Sequence, residues 1–156
     1  MVDIVSAETR SRMMASIRRR NTKPEMVVRQ ELHAAGFRFR LDVRSLPGSP
    51  DIVLPKWRTA IFVHGCFWHR HAGCKYASTP ATRPKFWQAK FEANVRRDCS
   101  NERALIEMGW KVAIVWECGL AQGVRADTIC GLFAFIRHPS PSPTRLFFPE
   151  TPPRPI

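Results

Sequence analysis

Acidic residues are scarce in this chain. Its 156 residues carry 13 Asp and Glu against 25 Lys and Arg, a formal net charge of +12. A surface so short of carboxylates favours a polyanionic partner, and nucleic acid comes first among these, ahead of an anionic membrane. Long apolar runs are also missing. No stretch approaches the roughly 18 residues of a spanning helix, which excludes such a span. Met1 to Ser6 lack both the basic and the apolar region of a secretion signal. A soluble, intracellular protein is the expectation. The five cysteines are an odd number, which excludes a complete set of internal disulfides. Metal ligation and free thiols in a reducing compartment fit better. No internal repeat is present. What remains is ordinary for a globular chain: 44% hydrophobic residues and a length that suits one domain.

One segment departs from that background. His64-Gly65-Cys66-Phe67-Trp68-His69-Arg70-His71-Ala72-Gly73-Cys74 holds two thiols, three imidazoles and two adjacent large aromatics. Sulfur and nitrogen ligands at this density suit a tetrahedral, structural Zn²⁺ site. Cys66, His71 and Cys74 supply three ligands and Cys118, at a strand end, the fourth; Cys99 and Cys130 compete with Cys118, and His69 with His71. His64 and His69 are then free for chemistry. Phe67 and Trp68 stand at the tip of a pinned loop with no evident core to fill.

Hydrophobic patterning gives a mixed α/β order. A basic helix covers about Ala7 to Arg20. Thr22, Pro24 and Glu25 begin a second helix as cap, first turn and capping box, and Gly36 ends it. Alternation over Phe37 to Leu41 predicts a half-buried strand. The turn at Leu46–Pro50 delivers Asp51 to the head of the apolar strand Ile52-Val53-Leu54. Thr59 to Val63 forms its hairpin partner. Arg83-Pro84 opens a long helix to about Met108, with a break near Ser100. Trp110 to Trp116 is a strand, and a helix follows from about Arg125 to Arg137. Residues 1–138 thus read as the domain and 139–156 as a proline-rich tail with little regular structure.

Several side chains in this frame can carry chemistry. Asp51 at a strand edge can hold Mg²⁺ beside a phosphate, and Glu25 can approach the same ion or serve only its capping box. His69 can take a proton from water, with Asp98 fixing its tautomer; Asp98 reads equally as a solvated helix position. Phe67 and Trp68 beside a cationic face suit insertion between bases, with Met14 entering from the opposite groove, or else they are core.

Together these residues resemble the very short patch repair (Vsr) DNA mismatch endonucleases, from about Thr9 to about Leu120. The resemblance rests on Thr9-Arg10-Ser11 with Met14, Ser45-Leu46-Pro47-Gly48 with Pro50-Asp51, His64-Gly65-Cys66-Phe67-Trp68-His69, Pro80-Ala81-Thr82-Arg83, Arg97-Asp98 and Val115-Trp116-Glu117-Cys118. It implies a restriction-endonuclease-like single domain, a central mixed sheet flanked by helices, with a structural zinc. It implies that Asp51 and the Val63 carbonyl hold catalytic Mg²⁺. His69 with Asp98 is implied as the general base, and His64 as lying at the scissile phosphate. Phe67, Trp68 and Met14 are implied to intercalate. The implied reaction nicks double-stranded DNA on the 5′ side of the T in a T:G mismatch. The implied setting is the bacterial cytoplasm and nucleoid, with a monomeric enzyme beside a cytosine-5 methyltransferase and a MutL-type partner. Two departures stand out. Ile61-Phe62-Val63 offers no acid-x-Lys triplet of the restriction type, and Ser49 stands where arginine is frequent. Rival readings are a zinc-containing DNA-binding module without catalysis and a restriction or homing nuclease of perfect duplexes.

Overall fold

Strand faces decide where everything sits. The computed structural model describes residues 6–15, 20–139 and 145–149. Helices α1 (Ala7–Ala15) and α2 (Lys23–Ala34) precede strands β1 (Ile52–Leu54) and β2 (Thr59–His64). Then come α3 (Pro84–Glu107), β3 (Lys111–Trp116), α4 (Arg125–Arg137) and β4 (Arg145–Phe148). The four strands form one mixed sheet in the order β1-β2-β3-β4. β1 and β2 are antiparallel, while β2, β3 and β4 run parallel. All six residues of β3 are buried, as a central parallel strand covered on both faces requires.

Side chains alternate across this sheet. Ile52, Leu54, Ile61, Ala113 and Val115 face α2 and α4, where Val28, Leu32, Leu132 and Ile136 complete a core. Val53, Ala60, Phe62, Val112, Ile114 and Trp116 face the other way, towards Leu105 of α3 and Cys66, Cys74 and Cys118. The metal-type residues are therefore built into a core. At the start of β3 the Lys111 ammonium donates to the carbonyls of Phe135, Ile136 and His138 at 3.0, 2.7 and 3.1 Å. Three donors meet carbonyls that the end of α4 leaves without helical partners.

The predicted cap of α2 forms. Thr22 Oγ1 accepts from the Glu25 amide at 3.3 Å, and Glu25 Oε2 accepts from the Asn21 amide at 3.2 Å.

Three expectations need correction. Phe37–Leu41 is not a strand: Arg40 alone pairs with Val53, and Asp42 at φ 56° turns the chain away. α3 runs unbroken through Ser100 for 24 residues, because Glu102 and Leu105 bury that stretch against the sheet. The segment after Pro139, read as a tail apart from the domain, contributes strand β4 to the sheet beside β3. Phe148 packs into the core beside Phe135, and two further contacts hold the strand. Arg145 Nη1 meets Glu102 Oε2 at 2.6 Å, and Pro149 approaches Gly119 so closely that a Cβ there would lie 2.6 Å from the proline Cδ. Residues 16–19 of the predicted first helix, and the Met14 side chain, lie outside what is described.

Candidate metal centre and active site

The loop leaving β2 is a chain of turns that folds cysteine and histidine inward. The His71 amide donates to the Cys66 carbonyl at 3.1 Å, and the Cys74 amide to the His71 carbonyl at 3.2 Å. Glu117, in the single turn after β3, accepts from the Cys66 amide at 2.9 Å. That contact sets Cys118 against the loop. The ligand atoms of Cys66, His71, Cys74 and Cys118 all lie within 4.8 Å of one another, and all four residues are buried. His71 Nδ1 is 3.6 Å from Cys66 Sγ and 3.3 Å from Cys118 Sγ. A tetrahedral zinc at ordinary bond lengths separates sulfur from nitrogen by about 3.5 Å, so the cage has the right size. Its electrostatics agree. Burial raises the Cys66 thiol and pushes Cys118 up to about 11; a cation in their midst is what would ionise them. Burial also keeps the His71 ring below its ordinary value, hence neutral, and the ring stacks on Trp116 at 4.3 Å. The two competing cysteines, Cys99 and Cys130, are exposed.

Two residues before His71, His69 joins a different group. His64, His69 and Asp98 bring their ligand atoms within 4.8 Å of one another. His69 Nδ1 and Asp98 Oδ2 are 2.5 Å apart. The rings of His64 and His69 stack at 3.8 Å. Burial, then the neighbouring His69, depresses His64 to about 3, so this imidazole is neutral near pH 7. Burial pushes Asp98 upward, but the hydrogen bond and charge of His69 outweigh it and leave the carboxyl below its ordinary value.

Asp51 reaches the strand residue just before His64. Its Oδ2 accepts from the Val63 amide at 2.8 Å; the contact seen from Val63 is thus its N–H. Burial raises Asp51 to about 6 against that hydrogen bond, and the Glu25 charge adds to the rise while His69 and Arg29 oppose it. Glu25 is 3% exposed and paired with Arg29 at 2.9 Å. Its capping role and its nearness to Asp51 coexist. Glu25 and His69 are both close enough to act on the Asp51 charge.

Phe67 and Trp68 need a correction. They do have a surface to pack on, because α3 returns beside the loop. Phe67 lies 5.7 Å from Trp87 and 5.2 Å from Phe91, and Trp68 lies 5.9 Å from Trp87. Lys90 stands over Trp68 at 5.2 Å, and the Asn94 amide donates to the Trp68 carbonyl at 3.2 Å. Glu117, Trp87 and Asn94 thus shape the site, although the sequence assigned them no individual role.

A model of the DNA mismatch endonuclease Vsr family matches residues 2–75. The chain is 50% identical over 121 residues to the type II nicking enzyme V.XorIIP of Xanthomonas oryzae pv. oryzae, covering 78% of this chain and 88% of that protein. It is 45% identical over 120 residues to the DNA mismatch endonuclease Vsr of Escherichia coli K12, covering 77% and 76%. The chain belongs to the Vsr family. In this Vsr chain the family match spans Asp51, His64 and the Cys66–Cys74 loop, while Asp98 and Cys118 come from farther along. Identity to the type II nicking enzyme V.NmeAIP of Neisseria meningitidis is 43% over 120 residues. Among the described residues of this Vsr chain, no helix is long and apolar enough to cross a membrane.

Proposed function

We propose that this Vsr-family DNA mismatch endonuclease nicks one strand of a duplex on the 5′ side of the T in a T:G mismatch. The observation that carries the reading is the His69–Asp98 pair at 2.5 Å, near enough to Asp51 for that carboxyl to feel His69. Asp51 and Glu25, with the Val63 carbonyl, are the residues to hold Mg²⁺. Bound there, the ion would neutralise phosphate charge and acidify a water. Asp98 fixes the His69 tautomer with the proton on Nδ1 and so leaves Nε2 free to accept a proton from that water. His64, neutral and stacked, holds the His69 ring plane and presents an uncharged imidazole to the phosphate. In-line attack leaves a 5′-phosphate and a 3′-hydroxyl. Cys66, His71, Cys74 and Cys118 form a closed set for Zn²⁺, whose part is to hold the loop.

Phe67 and Trp68 are the wedge, inserted at the mismatched step, which costs less to open than a paired one. Met14 on the basic first helix is assigned to the other groove. The mixed sheet with helices on both faces supports the restriction-endonuclease-like fold. A monomer, acting with a MutL-type protein and beside a cytosine-5 methyltransferase in the bacterial nucleoid, is the setting this reading carries.

The test is nicking of end-labelled duplexes in Mg²⁺, comparing T:G with T:A in randomised flanks. The expected result is one nick, 5′ of the mismatched T. Equal cutting of both duplexes would point instead to a nuclease of perfect DNA, and tight T:G binding without cutting to a binding module.

A further inference from the structure

The metal-type cluster fixes Cys66 and His71, but the stretch between them, which bears the aromatics, needs its own anchor. Arg70 supplies one. Its backbone takes φ 56°, the left-handed region, which turns the side chain back under the loop. Nη1 donates to the carbonyl of Ser78 at 2.9 Å and to that of Phe67 at 3.4 Å. Nη2 donates to the carbonyl of Ala77 at 2.8 Å and to Thr79 Oγ1 at 3.1 Å. The guanidinium carbon also stands over the Phe91 ring of α3 at 4.1 Å and over that of Phe67 at 6.0 Å. The group therefore joins three elements: the wedge loop, the chain returning at 77–79, and α3. A cation so placed at a DNA-facing loop would ordinarily be read as a phosphate contact. Here its terminal nitrogens are already committed to four acceptors, and its charge stands over the Phe91 ring.

We propose that Arg70 is a positioning residue for mismatch preference: its planar fork holds Phe67 and Trp68 as a preformed wedge. The inference rests on the wedge reading above. Pre-forming the loop removes ordering cost from the step in which the aromatics enter the duplex. That step separates T:G from T:A, so the clamp acts on preference rather than on general DNA affinity. Lysine cannot replace it, because an ammonium has no planar fork and does not stack.

The experiment uses the zinc-loaded full chain in four forms: unaltered, Arg70→Ala, Arg70→Lys and Trp68→Ala. For each, kcat and KM are measured on T:G and T:A duplexes, with the salt dependence of binding, zinc content, and the fluorescence of 2-aminopurine placed beside the mismatch. Both Arg70 variants should retain zinc and the salt slope, yet lose about ten- to a hundredfold in the T:G over T:A ratio of kcat/KM, with a weaker 2-aminopurine response. Trp68→Ala should lose the ratio as well. If Trp68→Ala loses preference while Arg70→Ala and Arg70→Lys keep it, the wedge stands and the clamp is overturned. An unchanged ratio in Trp68→Ala instead removes the wedge reading and the clamp with it. A salt slope lowered by about 1, with both duplexes weakened alike, makes Arg70 a phosphate contact and overturns the proposal. Should Arg70→Ala fail to fold, Arg70→Lys decides alone: full preference with lysine overturns the role of the fork.

Discussion

His69 and His71 stand two residues apart on one loop and have opposite surroundings. The His71 side faces sulfur: its Nδ1 points at Cys66 and Cys118, its ring lies on Trp116, and the residue is 5% exposed. The His69 side faces oxygen and solvent: its Nδ1 meets the Asp98 carboxylate, and its side chain is 24% exposed. A metal in a closed cage has no position left for a substrate, so it can only hold structure. An imidazole oriented by a carboxylate at an open face keeps one nitrogen for proton transfer. Neighbours, not residue type, separate the two roles proposed for them. Between them Arg70 takes a left-handed backbone conformation, φ 56°.

The comparison can be broken most severely on the closed side. Cys118→Ser removes one sulfur from the cage. It should release zinc and forfeit much of the roughly 10 kcal/mol that such a site contributes to folding. Zinc content with thermal unfolding checks this; an unaltered melting temperature with full zinc would mean that the fourth ligand lies elsewhere.

On the open side, Asp51→Ala should lower nicking on the order of 10³-fold while the protein keeps its zinc and binds T:G duplex. Single-turnover nicking beside a gel-shift titration measures both. Full activity removes Asp51 from the mechanism.

Acidity sharpens the same contrast. Asp51 rises from 3.8 to about 6 on folding. Between those values the folded state holds a proton that the unfolded chain has released, so metal-free stability should fall as pH rises from about 4 to about 6 and then level off. Asp51→Asn should abolish that slope and add on the order of 2 kcal/mol at pH 7. Denaturant unfolding in chelator across this range measures it. Proton and cation compete for the same carboxylate, so the Mg²⁺ needed for half-maximal nicking should climb below about pH 6.

The smallest expected effect tests the reach of the domain. Arg145→Ala leaves the buried Glu102 without its partner and should cost about 1–3 kcal/mol, with part of the loss recovered in the double variant with Glu102→Gln. No loss in urea unfolding would detach β4 from the fold.

What the sequence made legible was local. Three of the four cage residues fall within Cys66–Cys74, and Thr22 with Glu25 announces a helix start in four residues. The apolar runs of β1 and β3 are short enough to be strands and little else. What escaped depends on distant partners. β4 exists because the exposed edge of β3 accepts a parallel neighbour and Glu102 draws in Arg145; nothing within a proline-rich stretch shows this. Phe67 and Trp68 looked uncovered because Trp87 and Phe91 reach them only after α3 has folded back. Ser100 suggested a break because polar residues flank it, whereas Glu102 and Leu105 are buried against the rest of the domain. Phe37–Leu41 alternates as a strand does, but the turn at Asp42 leaves it a single bridge.

The central claim, that neighbouring histidines serve separate sites, meets its most direct test in one variant. His69→Ala should bind as much zinc as the unaltered chain and nick T:G duplex about 10²- to 10⁴-fold more slowly. Loss of zinc from that variant, or nicking at the original rate, would contradict the account.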